Sequence, residues 1–338
     1  MTARDVVVVN TLGGALQHYT RGLVGSLEQS VGRVSVAHVD EPSVTGDSGL
    51  GWVCRYVGAL WSARRTVRRS GARVVVTWPV LGHLDRLVMR VVLGRRVDSA
   101  LIMHDPRPLV HGRGYGRLSR RIGAFARDVR VVVHSDAARD ALTEDCPDLT
   151  PDLLPHPVSP RAVGSGADRV PDRPVVRVPD RPVVRVLGQY KPDRDLDLLV
   201  RIGERLGDSH RLEVIGRRWP AVRGWTVTNE FVSEERLDEL MATADAVLVP
   251  YRRFFQSGIA VRALELGTPA VGPAGSSIAD LYPDDRYLAG DSAASWCDAI
   301  AAAAAADPGQ TRALAARADH ACRAAWSRWL SEPWRPHA

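Results

Sequence analysis

Short runs of apolar residues alternate with amphipathic stretches of helical length along most of this chain. The runs are VVVVN at residue 6, VVVTW at 74, ALIMH at 100, VRVVVHS at 129, VVRVLG at 183, LEVIG at 212, ADAVLVP at 244 and PAVGP at 269. Runs that are rich in β-branched residues and lack polar alternation are typical of strands in parallel sheets covered by crossover helices. The sequence therefore predicts an α/β fold built on parallel sheets.

The alternation is interrupted once, between His156 and Val186. This segment is rich in Pro, Gly, Ser and Asp, and it contains the octad VPDRPVVR twice, beginning at Val170 and at Val178. An octad is too short to form a supersecondary unit, so a local duplication explains it better than a solenoid. We interpret the first copy as an insertion and the second as leading into the first strand of a second domain.

The length of 338 residues and the hydrophobic content of 45% favour two domains. We predict two Rossmann-like doubly wound domains that face a central cleft, because open α/β sheets bind ligands beyond the carboxyl ends of their strands. The predicted segments are a first domain at 1–160, a linker at 161–182, a second domain at 183–320, and a C-terminal helix at 321–338 that packs back on the first domain.

The start of the chain, MTARDVVVVNTLGG, enters a strand-like run without an apolar leader, and no stretch approaches the ~20 apolar residues that span a bilayer. We therefore expect a cytoplasmic protein. Cys54, Cys146, Cys297 and Cys322 are scattered, without the spacing of a zinc site. Neither disulfides nor a bound metal are expected.

Positive charge is concentrated in the first half of the chain. Up to residue 150 there are 21 arginines against 14 acids, and beyond it 24 basic residues against 25 acids. Four arginines stand at helical spacing in LWSARRTVRRSG: Arg64, Arg65, Arg68 and Arg69. They form either a solvated helix face or a contact with an anionic partner, for which an inner membrane surface is favoured over nucleic acid. No helix-turn-helix, RNP-like or zinc pattern supports nucleic-acid binding.

Two loops at strand ends in the first half carry candidate site residues. Gly13 and Gly14 follow VVVVN and precede a helix, where paired glycines allow close backbone approach to a phosphate. The loop is not GxGxxG, so a dinucleotide site is not supported. His104 and Asp105 follow ALIM in a turn made rigid by prolines. The pair is either a capped turn or a site in which His104 contacts a sugar hydroxyl or a leaving phosphate.

Two further loops in the second half are suited to anions. Lys191 and Arg194 follow VLGQY and precede the helical stretch DLDLLVRIGERL, so we expect both to project near a helix N-terminus and to favour a diphosphate. A solvated charged turn is the alternative. Ser257 and Gly258 lie where free N–H groups begin another helix, which makes this turn a candidate anion cradle.

These residues occur in an order that resembles the GT-B glycosyltransferases, in particular the family 4-like branch. The matching stretches are LGGALQHY, HDP, HPV, LGQYKPDRDLDLL, LEVIG, FVSEERLDELMATADAVLVPYR and QSGIAVRALELGTPAVGPAGSSIADL. The resemblance is most specific across residues 183–282. It implies an acceptor-binding first domain and a donor-binding second domain.

The resemblance implies that the chain transfers a sugar from a nucleotide diphosphate sugar to an acceptor hydroxyl, with retention of configuration and without metal or other cofactor. The acceptor would be a glycan, a lipid-linked molecule or a small molecule in polysaccharide or glycoconjugate biosynthesis. In this resemblance Lys191 and Arg194 match the basic pair on the donor diphosphate, and Gly13 and Gly14 match the glycine-rich loop. Ser257 and Gly258 match the residues whose backbone meets the phosphates, and His104 matches a histidine near the transferred sugar.

The chain departs from this family at a pair of glutamates, one of which binds the nucleotide ribose. Counting back from Gly267, the two positions hold Phe254 and Arg262, in what we interpret as a QSG variant. Glu265 lies three residues after Arg262 on the same helical face, so it either reaches the ribose or pairs with Arg262. We favour the ion pair. The base of the donor stays open.

Other functions remain open at this stage. An inverting enzyme would need a general base, for which Asp105 is the candidate in the first half. A sugar-nucleotide epimerase shares the fold but requires paired acids, and a non-catalytic nucleotide-sugar binder is consistent with the missing glutamates. We favour the retaining glycosyltransferase.

Overall fold

A computed structural model describes residues 4–46, 48–108, 112–160, 181–282 and 285–334 of the chain. The chain forms two compact units: Met1–Pro157 together with Ala321–Ala338, and Val158–His320. Most of the predicted linker, residues 161–180, lies outside the described residues. The second copy of the octad reaches the described part of the chain and supplies the first strand of the second sheet.

The first unit contains a parallel six-stranded sheet. Its strands, in chain order, are β1 (Val6–Asn10), β2 (Val34–His38), β3 (Arg73–Val76), β4 (Ser99–Ile102), β5 (Val129–Val133) and β6 (Asp152–Leu153). Their spatial order is β2-β1-β3-β4-β5-β6. Val8 of β1 pairs with Val36 on one side and Val75 on the other. All residues of β1 are buried, as expected for an apolar run between two neighbouring strands.

Helices cover this sheet and set the positions of the loops at its carboxyl edge. They are α1 (Gln17–Leu27), α2 (Pro42–Thr45), α3 (Gly49–Ser70), α4 (Asp85–Leu93), α5 (Arg117–Gly123) and α6 (Asp136–Asp145). α3 begins after Ser48, whose hydroxyl accepts a hydrogen bond from Gly51 N–H, and ends before Gly71 at φ +69°.

The last part of the chain belongs to the core of the first unit. Cys322 and Trp326 are fully buried together with Val8 of β1 and Leu23 of α1. The Trp326 indole N–H donates to the carbonyl of Pro155 at 3.2 Å. Cys322 and Trp326 lie on a long terminal helix, α12 (Pro308–Ser331), which begins in the second unit.

The second unit has its own parallel six-stranded sheet. Its strands are β7 (Val183–Leu187), β8 (Arg211–Gly216), β9 (Thr226–Asn229), β10 (Ala246–Leu248), β11 (Ala270–Pro273) and β12 (Leu288–Ala289). Their spatial order is β12-β11-β10-β7-β8-β9. The helices are α7 (Leu196–Leu206), α8 (Glu234–Ala242), α9 (Gly258–Glu265), α10 (Ile278–Leu281) and α11 (Ala293–Ala304).

Each unit therefore alternates parallel strands with helices, and the predicted α/β architecture is confirmed. In the second unit, Val186 and Val247 on neighbouring strands are fully buried under Leu199 and Leu264 from the covering helices. In both sheets the loops that carry the candidate site residues follow the carboxyl ends of the strands. Among the described residues, no helix is long and apolar enough to cross a membrane.

Candidate functional site

The loops after β7 and β8 are in direct contact at the carboxyl edge of the second sheet. A Cβ atom on Gly216 would lie 2.2 Å from the carbonyl oxygen of Gly188, and Gly216 has φ +154°, so only glycine allows this approach. The indole N–H of Trp219 donates to the same Gly188 carbonyl at 2.7 Å. These contacts fix the base of the loop that carries Lys191 and Arg194.

Arg194 is buried, with only 4% of its surface exposed. Its Nη2 donates to the Leu187 carbonyl at 2.8 Å and its Nε donates to the Tyr251 hydroxyl at 3.1 Å. The guanidinium carbon lies 4.8 Å from the ring centroid of Trp219 and 4.7 Å from that of Tyr251. The expectation that Arg194 projects from its loop is wrong, because the two aromatic rings and the loop backbone enclose it.

The charge of Arg194 has consequences for anion binding. Burial lowers its pKa from the ordinary value, although arginine pKa values are high enough that the group stays charged. Within the described part of the chain, no carboxylate forms a salt bridge with Arg194. Because a buried charge without a counterion is unfavourable, this guanidinium creates a site that an anion would stabilise.

Lys191 is exposed, three residues before Arg194, in a turn closed by a hydrogen bond of 3.0 Å from Arg194 N–H to the Lys191 carbonyl. The helix that follows does not supply a free N-terminus. The carboxylate of Asp195 accepts from Leu198 N–H at 3.0 Å, and Asp197 lies in the first turn. The expectation that the α7 dipole assists a diphosphate is therefore wrong, since carboxylates already complement this N-terminus.

The N-terminus of α9 is different. The Ser257 hydroxyl accepts from Ala260 N–H at 3.3 Å, and no acid lies in the first turn. Among the described residues, the N–H groups of Gly258 and Ile259 have no acceptor. Gly258 is exposed, and no atom lies within 4 Å of the position of its missing Cβ. This turn has the open N–H groups and positive dipole end that the sequence predicted for an anion cradle.

The loop after β7 and the loop that leads into α9 run side by side. Arg194 forms an isolated antiparallel bridge with Tyr251, and Arg252 N–H donates to the Asp193 carbonyl at 2.9 Å. The chain reaches Ser257 a few residues later. The structure thus places the buried cation, the exposed ammonium and the open helix N-terminus on adjacent loops of one sheet edge.

Arg262 does not belong to this group. It is buried on α9, and its guanidinium binds the carboxylates of Glu234 and Asp238 on α8; its Nη2 also donates to the Glu234 carbonyl at 2.9 Å. No ion pair joins Arg262 to Glu265 in the described structure, so the pairing that we favoured is wrong. The acids on α8 hold the guanidinium instead.

Glu265 is buried at the end of α9, and its Oε1 accepts from Ser159 N–H at 2.6 Å. Ser159 follows His156, Pro157 and Val158, so this carboxylate is bound to the segment at the start of the second unit. A role of Glu265 at the nucleotide ribose stays a prediction.

In the first unit, Gly13 and Gly14 begin a short 3-10 turn at the carboxyl edge of the sheet. Gly13 has φ +49°, and a Cβ atom there would lie 2.2 Å from Asp40 Oδ1, so the backbone requires glycine. Asn10 at the end of β1 donates to the Gly13 carbonyl at 2.9 Å. Gly14 is exposed with open space at its Cβ position. The backbone therefore requires glycine at position 13, whereas a side chain at position 14 would meet no steric barrier.

His104 lies buried in a cluster of aromatic side chains. Its Nε2 lies 3.0 Å from the Thr77 carbonyl, which identifies this nitrogen as the protonated one, and its ring stacks on Trp78 with centroids 5.2 Å apart. The ring of Tyr19 lies 4.6 Å away and that of His134 lies 5.1 Å away. Asp105, the next residue, is half-buried.

Sequence reasoning did not identify Tyr19, His134 and His156 as members of this cluster. His134 follows β5 directly; its Nδ1 donates to the Leu154 carbonyl and its Nε2 accepts from the Tyr19 hydroxyl, both at 2.8 Å. His156 follows β6, and its ring lies 5.3 Å from that of His134. The available signal was that a histidine stands just after each of three strands. These strands, β4, β5 and β6, turn out to be neighbours in the sheet.

Burial keeps the imidazoles of His134 and His156 neutral. It lowers the pKa of His134 well below the ordinary value, and it lowers the pKa of His156 to about 3, with the nearby His104 adding to both effects. Neutral imidazoles with fixed tautomers are donors and acceptors for hydroxyl groups rather than acids or bases near neutral pH. The cluster is therefore suited to uncharged polar ligands.

A buried carboxyl group also lies at this edge and was not predicted. Asp85 begins α4, is fully buried, and its Oδ2 accepts from Leu81 N–H at 2.6 Å. Burial raises the pKa of Asp85 to about 7, and the hydrogen bond from Leu81 only partly offsets this. Across the described ranges, no group of three His, Cys, Asp or Glu side chains is arranged to hold a metal ion.

Comparison with known proteins identifies the fold but not a family. No family model matches the chain, and no curated protein matches its sequence. Solved structures are similar along almost the whole chain. The UDP-forming α,α-trehalose-phosphate synthase from Burkholderia vietnamiensis has a TM-score of 0.64 at 12% identity, covering 97% of this chain and 98% of its own.

Two further structures give the same result. An E. coli trehalose-6-phosphate protein, bound with UDP-2-fluoro glucose, has a TM-score of 0.63 at 9% identity and covers 97% of this chain and 99% of its own. Sucrose-phosphate synthase from Thermosynechococcus elongatus has a TM-score of 0.60 at 15% identity, covering 97% and 96%. At these identities the likeness shows the fold, and the predicted GT-B fold is confirmed. The resemblance to the family 4-like branch stays a prediction.

Proposed function

We propose that this chain is a glycosyltransferase that moves a sugar from a nucleotide diphosphate sugar to an acceptor hydroxyl. The observation that carries the proposal is the sheet edge of the second unit, where Lys191, Arg194 and the N–H groups of Gly258 and Ile259 lie on adjacent loops. A buried guanidinium without a counterion, an exposed ammonium and open N–H groups together complement a diphosphate. The GT-B fold, shared with sugar-phosphate synthases, supports this assignment.

The proposed role of these groups is to stabilise the leaving nucleoside diphosphate. As the bond from the sugar to the phosphate breaks, negative charge grows on the diphosphate oxygens. Arg194 is held in place by Leu187 and Tyr251, so its charge needs little reorganisation during the reaction. Lys191 is exposed and can follow the ligand. In this proposal the two cations supply the charge neutralisation that other enzymes obtain from a divalent metal.

The neutral imidazoles of His134 and His156 fit hydroxyl groups of an uncharged sugar, and in the proposal the neighbouring His104 contacts the transferred sugar. Gly13 and Gly14 of the first-unit loop and Ser257 and Gly258 of the α9 turn remain proposed donor contacts, and His104 and Asp105 remain the proposed catalytic residues. Retention of configuration rests on the family resemblance alone. The anomer of the product, read by NMR from a reaction with an α-linked donor, tests it directly.

The nucleotide can be found by thermal stabilisation with a panel of nucleoside diphosphates. A ligand specific for the folded state raises apparent stability by mass action. Because one solved structure of this fold holds UDP-2-fluoro glucose, UDP and UDP-sugars are the first to test. Stabilisation by a nucleotide without transfer to any of a broad set of sugar acceptors would favour a non-catalytic nucleotide-sugar binder.

The decisive experiment replaces Lys191, because this side chain is exposed and its loss should not disturb the fold. Lys191→Ala should lower kcat/KM by about 10²-fold, the scale for removal of one electrostatic contact to a transition state. Arg201→Ala is the matched control, since Arg201 is exposed on α7 within the same unit. Near-normal turnover of Lys191→Ala would show that the diphosphate does not bind at this loop.

A further inference from the structure

One face of the first unit combines exposed arginines with exposed apolar side chains. The helix α3 carries five arginines and no acidic residue. On its exposed side, Trp61 is 51% exposed, and the guanidinium of Arg65 lies 3.7 Å from the centre of its ring. Arg68 and Arg69 follow in the last turn and are also exposed.

This face continues onto α4 and the segment after α5. Arg64 is not a free cation as the sequence predicted, because its Nη1 donates to the Val92 carbonyl at 2.8 Å and so ties α3 to the end of α4. Arg90 on α4 donates in turn to the Phe125 carbonyl. Exposed apolar side chains on these elements are Val91 of α4, Leu118 of α5 and Phe125 after α5, which are 68%, 72% and 73% exposed.

No carboxylate is exposed in the whole span from residue 49 to 128. The span has four acids: Asp85 is buried, Asp105 is half-buried, Asp98 pairs with Arg4 at 2.9 Å, and Asp128 pairs with Arg90 at 3.4 Å. Its exposed arginines are Arg65, Arg68, Arg69, Arg95, Arg96, Arg113, Arg117, Arg121 and Arg127. We call the arginines that lie on α3 and α5, Arg65, Arg68, Arg69, Arg117 and Arg121, together with Trp61, Val91, Leu118 and Phe125, the arginine-apolar face.

We propose that the arginine-apolar face binds the surface of an anionic lipid bilayer. Anionic headgroups attract clustered arginines, while tryptophan, phenylalanine and leucine insert their side chains at the boundary with the acyl chains. The phosphates of a nucleic acid would pair with the arginines but would leave the four exposed apolar side chains without a partner. A second copy of this chain would place arginines against arginines on this face, which is unfavourable.

Vesicle binding tests this proposal without any substrate, so the result is independent of the proposed activity. The probes are vesicles of phosphatidylcholine alone and of phosphatidylcholine with phosphatidylglycerol in equal amounts, separated by flotation. We expect binding only to the anionic vesicles. Each exposed arginine near the surface contributes about fivefold, so the triple variant Arg65→Gln, Arg68→Gln, Arg69→Gln should lower the partition coefficient by about 100-fold.

The matched control removes the same charge from the second unit. Arg201→Gln, Arg205→Gln and Arg317→Gln together change three exposed helical arginines and should leave vesicle binding within about threefold, since the field of an exposed charge is screened within about 8–10 Å. An equal loss in both triple variants would show that binding follows net charge alone and would overturn the assignment to this face.

Apolar variants separate insertion from simple charge attraction. Trp61→Ser and Phe125→Ser should each weaken binding by about fivefold to tenfold, because their buried apolar area is lost from the bilayer. Phe231→Ser, at a residue that is 72% exposed in the second unit, is the control and should have no effect. If duplex DNA binds the protein more tightly than the anionic vesicles do, and only the arginine variants lose either interaction, the face is a nucleic-acid surface and the proposal fails.

Discussion

The carboxyl edges of the two sheets hold opposite kinds of polar group. At the first edge, His134, His156 and Asp85 are buried, and burial shifts each pKa toward the neutral form. At the second edge, Arg194 is just as buried but stays charged, and exposed Lys191 lies three residues away. Burial therefore favours the neutral form of the groups at the first edge, whereas the buried group at the second edge stays positively charged.

The difference follows from the residue types. Histidine and aspartate have ordinary pKa values close enough to neutrality that desolvation can discharge them, whereas arginine cannot lose its proton in a protein. A neutral edge suits hydroxyl groups, and an edge with an uncompensated guanidinium suits phosphates. Transfer of a sugar away from a nucleotide diphosphate would need both kinds of edge, one for the sugar hydroxyls and one for the phosphates.

The largest effect that tests this contrast comes from Asp85. Its pKa is about 7 in the folded protein and 3.8 ordinarily, so between these values the folded state binds more protons and stability falls as pH rises. Asp85→Asn removes this dependence and preserves an acceptor for Leu81 N–H. The free energy of unfolding of the variant, relative to the wild type, should increase by about 3 kcal/mol between about pH 4 and about pH 7.

Urea unfolding at a series of pH values measures this difference, and Glu230→Gln, at an exposed carboxylate of the second unit, serves as the control. A difference between Asp85→Asn and wild type that does not change with pH would show that Asp85 is charged in the folded protein. The first edge would then not be a neutral surface.

The histidine cluster should respond to pH in the opposite sense. The pKa of His156 is about 3 when folded and 6.5 ordinarily, so its stabilising contribution is complete above about pH 6.5 and is lost as pH falls toward the folded value. His156→Asn keeps a donor near the position of Nδ1 for the Pro157 carbonyl and cannot be protonated. At about pH 5 the wild type should have lost about 2 kcal/mol relative to the variant.

If the wild type and His156→Asn lose stability in parallel as the pH falls from 7 to 5, His156 takes up no extra proton on unfolding. Imidazole NMR titration of the wild type gives the same information independently, because a neutral cluster shows no His134 or His156 transition in this range.

The sequence predicted the inner strands of both sheets but not their edges. The runs identified from the sequence correspond to β1, β3, β4, β5, β7, β8 and β10, and PAVGP corresponds to β11. The strands without such a run are β2, β6, β9 and β12, which are the outermost strands of the two sheets. Inner strands are mostly apolar because helices cover both faces, whereas an edge strand such as Val34–His38 is only half-buried, so its sequence resembles a loop.

The sequence predicted which loops carry the candidate residues, but it did not predict the contacts of their side chains. Strand-end loops were identified correctly because parallel sheets gather their carboxyl ends on one edge. What the sequence could not show was the direction of each side chain: Arg194 turns inward between Trp219 and Tyr251, which lie far from it in the chain. The histidine cluster was missed for a related reason, since its members become neighbours only through the order β4, β5, β6.

The smallest expected effect separates structural from ligand-binding cations within the second unit. Arg262 links α9 to α8 through Glu234, which is 67% exposed, and Asp238, which is 13% exposed. Arg262→Gln should therefore lower the free energy of unfolding by about 1–2 kcal/mol, because a part-buried ion pair is lost. Its kcat/KM should stay within about threefold of the wild type, in contrast to Lys191→Ala.

The double variant of Arg262→Gln with Asp238→Asn should lose less stability than the sum of the single losses, because both changes remove the same contact. A fall in kcat/KM of about tenfold or more in Arg262→Gln, with stability unchanged, would instead mean that the guanidinium leaves α8 to bind the donor when the ligand is present.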